Sequence, residues 1–249
     1  MLNALKKKIL IVNDGADCGH GYGPLFSMFG EVIHSVETFK FQPYTFKLVV
    51  FTGGADVAPD LYGDTSPKGM CHSNPQRDAE EKAIFEFARQ RGVKMVGICR
   101  GMQFLNVMTG GKMMHDVLGH SGGNHLTQVK NEDEPFLTNS YHHQMCVPHV
   151  DTHIIGWSHV KLSTRYIGDK DEPIDYNGPE VEAIYNSQSK IVGVQWHPEA
   201  TPDSGDWKKG MDWFVHIMKD FTGYAYGYFK RKYLGSNYDK ITIKEATDG

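Results

Sequence analysis

A chain of 249 residues, 40% hydrophobic and 22% charged, is long enough for one large domain with a full core. Its formal net charge is −4, and its basic clusters, Lys6-Lys7-Lys8 and Lys230-Arg231-Lys232, read as solvated surface, so no electrostatic footprint for nucleic acid is present. Cys18, Cys71, Cys99 and Cys146 are scattered without C-x-x-C spacing, which argues against a disulfide framework or a zinc ribbon.

The first strand-like run, residues 8–12, is closed by Asp14 and is far too short for a signal-peptide core or a membrane span, so the protein is expected in the cytoplasm with no membrane partner. Further strands are predicted over residues 46–52 and 93–98, alternating with helical segments. That alternation predicts an α/β fold with a doubly wound, mostly parallel central sheet flanked by helices. The best helix covers residues 75–91: Asn74 caps it, Pro75 suits its first turn, Gly92 stops it, and Ala79, Ala83, Ile84, Phe87 and Ala88 are expected to form its buried face. Residues 152–198 are rich in short strands, with a hairpin turn at Asn186-Ser187-Gln188-Ser189. An amphipathic helix over 207–221 closes a domain spanning 1–222. The tail, 223–249, carries Tyr224, Tyr226, Tyr228, Phe229 and Tyr233, which are expected to pack back onto the domain.

Gly97-Ile98-Cys99-Arg100-Gly101 follows a strand and opens a helix, with glycines two residues either side of a cysteine. This is the pattern of a nucleophile elbow. A helix N-terminus favours thiolate over thiol through its unsatisfied N–H groups. A thiol nucleophile needs a base, and the base needs an orienting group. His197 ends a predicted buried strand, Pro198 stiffens the turn, and Glu199 lies two residues on. An oxyanion needs hydrogen-bond donors, and the N–H groups of Gly53, after the 46–52 strand, and of Arg100, after the nucleophile, are the candidates. Gly54 lets the backbone approach a ligand at the same sheet edge.

Gly97-Ile98-Cys99-Arg100-Gly101-Met102-Gln103 and Gly193-Val194-Gln195-Trp196-His197-Pro198-Glu199 resemble the two catalytic motifs of the class I glutamine amidotransferase superfamily. The resemblance implies the flavodoxin-like fold of that group and a Cys99-His197-Glu199 triad that cleaves a γ-glutamyl amide through a γ-glutamyl thioester. It also implies substrate contacts from Gln103 and from Tyr141, His142, His143 and Gln144. Thr52-Gly53-Gly54-Ala55-Asp56-Val57-Ala58-Pro59, Leu61-Tyr62-Gly63, Arg77-Asp78 with Glu80, and Asn139-Ser140-Tyr141-His142-His143-Gln144 are similar to the γ-glutamyl-γ-aminobutyrate hydrolase-like branch. The segment from Cys18 to Gly23 departs from that pattern, which leaves the amine of the substrate open.

Two uses of this chemistry stand: a free-standing hydrolase of glutamine or a γ-glutamyl amine, and a glutaminase whose ammonia feeds a separate synthetase partner. Neither calls for a cofactor, and the oligomeric state is open. A different class, a zinc-binding protein, is suggested by His115, His120 and His125, and by Cys18 near His20 and Cys71 beside His72. Spacings of five do not align on one helical face and the intervening glycines read as loop, so no metal is expected. A non-catalytic binding module on the same fold is the remaining alternative.

Overall fold

A computed structural model describes residues 7–13 and 21–223; Cys18, His20 and the aromatic tail beyond Gly223 lie outside them. In chain order the strands are β1 (Lys8–Val12), β2 (Glu31–Ile33), β3 (Phe46–Phe51), β4 (Lys94–Ile98), β5 (Lys112–Met114), β6 (Asp116–Val117), β7 (Ser121–Val129), β8 (Phe136–Tyr141), β9 (Met145–Val147), β10 (Thr152–Ser158), β11 (Tyr166–Ile167), β12 (Pro173–Ile174), β13 (Val181–Asn186) and β14 (Ile191–Val194). The helices are α1 (Gly23–Ser27), α2 (Val36–Phe41), α3 (Pro75–Gln90), α4 (Arg100–Met108) and α5 (Lys208–Gly223).

The central sheet has the order β2-β1-β3-β4-β14-β13-β10-β7-β8. Strands β2, β1, β3, β4 and β14 run parallel, and β13, β10, β7 and β8 extend the sheet antiparallel. This is the predicted α/β class. The winding reverses between β1 and β3, so the carboxyl ends of these strands border the crevice where open α/β sheets bind ligands.

The parallel strands are near-continuous apolar runs because helices cover both their faces. Leu10, Val12, Val49 and Phe51 pack toward Ile84, Phe85 and Ala88 of α3 and Phe104 and Leu105 of α4. The alternate residues Ile9, Ile11, Leu48, Val50, Val96 and Ile98 pack with Phe26 and with Trp213, Phe214, Ile217 and Met218 of α5. The period of two along each strand thus separates two cores. Among the described residues no helix is long and apolar enough to cross a membrane.

Helix α3 starts as predicted: the Asn74 side chain accepts from the Arg77 N–H at 3.1 Å, and Pro75 occupies the first turn. Its inner face differs from the apolar reading. Ala79 and Ala83 are exposed, whereas Arg77, Asp78 and Glu81 are buried beside Ile84, Phe85 and Ala88. Hydrophobic periodicity misses this face because its first turns are buried for charge pairing. The hairpin between β13 and β14 is also present, pairing Asn186 with Ile191. Its turn is closed by the Ser189 N–H on the Asn186 side chain at 2.9 Å, with Lys190 at φ 54°.

Candidate functional site

Cys99 stands between β4 and α4 at φ 53° and ψ −112°. A residue with a Cβ enters this left-handed region only at a cost of about 1–3 kcal/mol, so surrounding structure must hold it there. The Cys99 N–H donates to the Val194 carbonyl at 2.8 Å, tying the bend to β14. A Cβ on Gly97 would lie 2.3 Å from the Gly101 carbonyl oxygen, and one on Gly101 would lie 2.0 Å from the Phe51 carbonyl oxygen. Both flanking glycines are therefore required by close backbone approach, as the sequence pattern implies.

His197 follows β14 and is buried, and its Nδ1 lies 2.6 Å from Glu199 Oε1. The His197 N–H donates to Asn139 Oδ1 at 2.8 Å and the Asn139 amide donates back to the His197 carbonyl at 2.9 Å, which fixes the turn against β8. Burial disfavours charge on the ring, but hydrogen bonds to Cys99 and Glu199 and the charge of both outweigh it and hold the His197 pKa up at about 11. This value is above that of the unfolded chain. The stabilisation it gives is therefore complete below about pH 6.5, and is lost as pH rises through about 11. Glu199→Gln is expected to move the His197 ring titration down toward neutrality. Histidine ring NMR from pH 5 to 9 checks this: a wild-type His197 that titrates near its ordinary value would contradict the reading.

The backbone N–H of Gly53, just past β3, donates to the Tyr22 hydroxyl at 2.9 Å. A Cβ on Gly53 would lie 2.8 Å from His197 Cε1, so the glycine is pressed against the imidazole. Gly54 follows at φ 134°. Arg100 is the first residue of α4, where a backbone N–H has no acceptor inside the helix. Its side chain has a separate task. The guanidinium pairs with both Asp78 and Glu81 in the interior, and Nε donates to the Ala55 carbonyl at 3.2 Å. Arg77 Nε pairs with Glu81 at 2.8 Å, and its NH2 group donates to the Thr52 and Gly53 carbonyls at 3.1 and 2.9 Å. Two buried cations and two buried anions thus fasten α3 to the elbow and to the Thr52-Gly53-Gly54 turn, with carbonyls held by Arg77.

Gln103 is buried one turn into α4, and its amide nitrogen reaches both the Gln195 side-chain oxygen at 3.2 Å and the Gln144 carbonyl at 3.3 Å. Gln195 in turn directs its amide at Cys99 Sγ, 3.5 Å away. The exposed ring of Tyr141 meets the His197 ring edge-on with centroids 6.0 Å apart. His143 is half-buried and lies 3.2 Å from Asp56, and Asp56 and Asp116 together raise its pKa against the effect of burial. The Gln144 side chain points to Cys71 Sγ at 2.9 Å. The ring of His142 is placed with His120 and Glu182. Cys99, His197, Glu199, Gly53, Gln103 and Tyr141 are thus joined through direct contacts or one intermediate residue, while His142, His143 and the Gln144 side chain have partners of their own.

Sequence reasoning missed Tyr22 and Glu81 here, and carried Arg77 and Gln195 only as parts of family-like segments without a role. Arg77 and Glu81 stand four apart on a helix, a spacing that ordinarily signals a surface pair. Tyr22 lies 31 positions from Gly53 in a segment without a motif. Gln195 was legible in principle, being next to Trp196-His197 on a buried strand.

Residues 37–147 match the Peptidase C26 family. The chain is 30% identical over 172 residues to the glutamine amidotransferase-like protein YvdE of Lactococcus lactis, covering 61% of this chain and 66% of that protein. It therefore spans just under two thirds of that relative's length. Against the carbamoyl phosphate synthase small chain of Pasteurella multocida it is 32% identical over 162 residues, covering 62% of this chain and 37% of the other. The structure of PurLQS from Thermotoga maritima superimposes with a TM-score of 0.54 at 15% identity, over 86% of this chain and 100% of that one. This last likeness is one of fold.

Proposed function

We propose that this chain, whose residues 37–147 match the Peptidase C26 family and which is similar to glutamine amidotransferase-like proteins, is a cysteine-dependent amidohydrolase that cleaves a γ-glutamyl amide, either glutamine or a γ-glutamyl amine. The observation that carries the proposal is the thiol at a positive-φ elbow together with the His197 ring, which Cys99 and Glu199 hold toward its charged form and whose Nδ1 lies 2.6 Å from Glu199. Such a pair supplies a nucleophile with a base able to take its proton.

In the proposed reaction Cys99 Sγ attacks the side-chain amide carbon. Charge develops on the amide oxygen, which takes donors from the N–H groups of Gly53 and Arg100, displacing the Tyr22 hydroxyl from the former. His197 passes its proton to the leaving nitrogen, the C–N bond breaks, and a γ-glutamyl thioester remains. Water, deprotonated by His197, then releases glutamate and restores the thiol. Gly54, Gln103 and Tyr141 stand around this centre and are proposed to contact the glutamyl moiety, with His143 and the Gln144 backbone at its edge. No cofactor enters these steps.

The similarity to the carbamoyl phosphate synthase small chain supports a second use of the same site, in which the nitrogen passes to a synthetase partner. A substrate panel distinguishes the two. Hydrolysis of γ-glutamyl amines by the isolated chain supports the hydrolase, and glutamine turnover that appears only on adding a synthetase supports the amidotransferase. A glutamine analogue with an electrophilic side chain is expected to label Cys99 and spare Cys18, Cys71 and Cys146, read by peptide mass spectrometry. Labelling of any other cysteine in preference to Cys99 would reject the proposed nucleophile.

A further inference from the structure

Behind the strand that carries His197, the chain buries a group of ionisable side chains that amide hydrolysis does not use. His120 precedes β7, His125 lies within it, His142 follows β8, and Glu182 is on β13. Their relative exposures are 1%, 7%, 5% and 0%. Among the described residues, His120, His125 and Glu182 are the group of histidine and carboxylate side chains with ligand atoms within 4.8 Å of one another. Glu182 Oε1 is approached by His120 Nδ1 at 3.5 Å, His125 Nε2 at 3.3 Å and His142 Nε2 at 3.6 Å. None of these contacts has hydrogen-bond geometry. Both ring nitrogens of His120 and His125, Nε2 of His142 and both oxygens of Glu182 are buried without a hydrogen-bond partner.

Unpartnered buried polar atoms are costly, and His120 Nδ1, His125 Nε2 and His142 Nε2 converging on Glu182 Oε1 call for a shared partner. Tautomers identify its charge. His142 Nδ1 lies 2.9 Å from the Gln144 carbonyl, which can only accept, so Nδ1 carries the proton and Nε2 turns a lone pair toward Glu182. His120 Nε2 faces Glu180 Oε2 at 3.2 Å, so in the neutral ring it carries the proton and Nδ1 presents its lone pair to the same carboxylate. Two lone pairs and a carboxylate oxygen aimed at one another repel unless a cation lies between them. Glu180 and the Gln144 carbonyl occupy the outer positions that orient metal-bound imidazoles. Bonds of about 2.0–2.1 Å in a tetrahedron give ligand-to-ligand edges of about 3.3–3.4 Å. The three contacts to Glu182 Oε1, at 3.3–3.6 Å, are of that size.

We propose that His120, His125 and Glu182 form a structural site for a divalent transition metal, zinc by its imidazole and carboxylate donor set, with His142 Nε2, 3.6 Å from the same carboxylate oxygen, beside it. The spacing that argued against His120 and His125 is resolved by the backbone. Residues five apart on a regular strand point to opposite faces, but the register of β7 shifts between Ser121 and Gly123, and the extra residue returns both rings to one side. His115, the third histidine of that sequence pattern, lies elsewhere, between Asp64 and Asp171. The site ties β7, β8 and β13 together beside the candidate active site. The Glu182 carbonyl accepts from the Gln195 N–H at 2.8 Å, and the Gln144 carbonyl that orients His142 also accepts from Gln103.

The test uses the full chain carrying Cys99→Ser, purified without chelator and incubated with zinc sulfate, then desalted. Elemental analysis is expected to find about one zinc per chain. In the same background His125→Ala and Glu182→Gln are expected to retain less than about a tenth of it. Cobalt(II) titration of the unmutated cluster is expected to give the intense visible bands of tetrahedral nitrogen and oxygen ligation, saturating at about one equivalent, and stripping the metal is expected to lower the melting temperature. Wild-type-cluster protein that binds neither ion, or gives only the weak bands of octahedral cobalt, would overturn the proposal even if the variants fail to fold. So would zinc retained at full stoichiometry in a folded His125→Ala or Glu182→Gln chain. Charged imidazoles on a metal-free cluster, seen by NMR of the zinc-treated protein, would do the same.

Discussion

Cys99→Ala is expected to lower turnover of γ-glutamyl amides by at least about 10⁴-fold while leaving a folded chain. Alanine keeps the Cβ that the elbow already accommodates at φ 53°, so the backbone strain is unchanged. What is lost is a sulfur touched by the Gln195 amide and by His197, both of which keep their other partners, Gln103 and Glu199. Among the described residues no second thiol is placed to substitute. Cys146 is fully buried and burial pushes its thiol well above the ordinary range, while Cys71 is engaged by Gln144. Ammonia or amine release measured on matched, circular-dichroism-verified samples checks the prediction. Activity within tenfold of wild type would reject the thioester route.

Arg100→Ala is expected to destabilise the fold by about 3–5 kcal/mol, the effect of orphaning buried charges. The Arg100 guanidinium faces Asp78 and Glu81, which are 3% and 0% exposed at their side chains. Removing it leaves Glu81 with Arg77, which is also held on the Thr52 and Gly53 carbonyls, and takes from Asp78 its arginine partner. Asp78 is already pushed upward by burial and held down by Arg100, so its carboxyl is expected to take up a proton in the variant. Urea unfolding at pH 7 measures the loss. A change below about 1 kcal/mol, the scale of a surface pair, would mean that the quartet is solvated. The substitution also loosens the turn that presents Gly53, so residual folded protein is expected to be slower than wild type.

The parallel half of the sheet was legible because its strands are short apolar runs bounded by glycine and charge, and because α3 carries capping residues at its start. The elbow was legible because close backbone approach at Gly97 and Gly101 leaves an unambiguous mark on sequence. The buried quartet was not. Arg77, Asp78 and Glu81 look like the exposed charges of a helix start, and their burial follows from Arg100, which arrives from a different element. The histidine cluster is half visible: His120 and His125 stand out in the sequence, but a helical spacing rule does not describe them. Register shifts and strand partners decide which side chains meet across a sheet, and neither can be read from spacing alone. His142 illustrates the same limit. Its neighbours in sequence suggested the substrate pocket, while the alternation of β8 and the turn after it place its ring beside Glu182.

The positive φ of Cys99 sets stability and chemistry against each other at one residue. Glycine would occupy that angle without strain, so the mutation that most relaxes the bend also removes the sulfur. A lineage released from the need for amide cleavage would gain from losing this cysteine, whereas Gly97 and Gly101 would stay fixed by packing. On the proposed cysteine chemistry, relatives of this chain can therefore be sorted by the elbow alone: both flanking glycines kept, and the residue between them either a cysteine still under tension or something more comfortable.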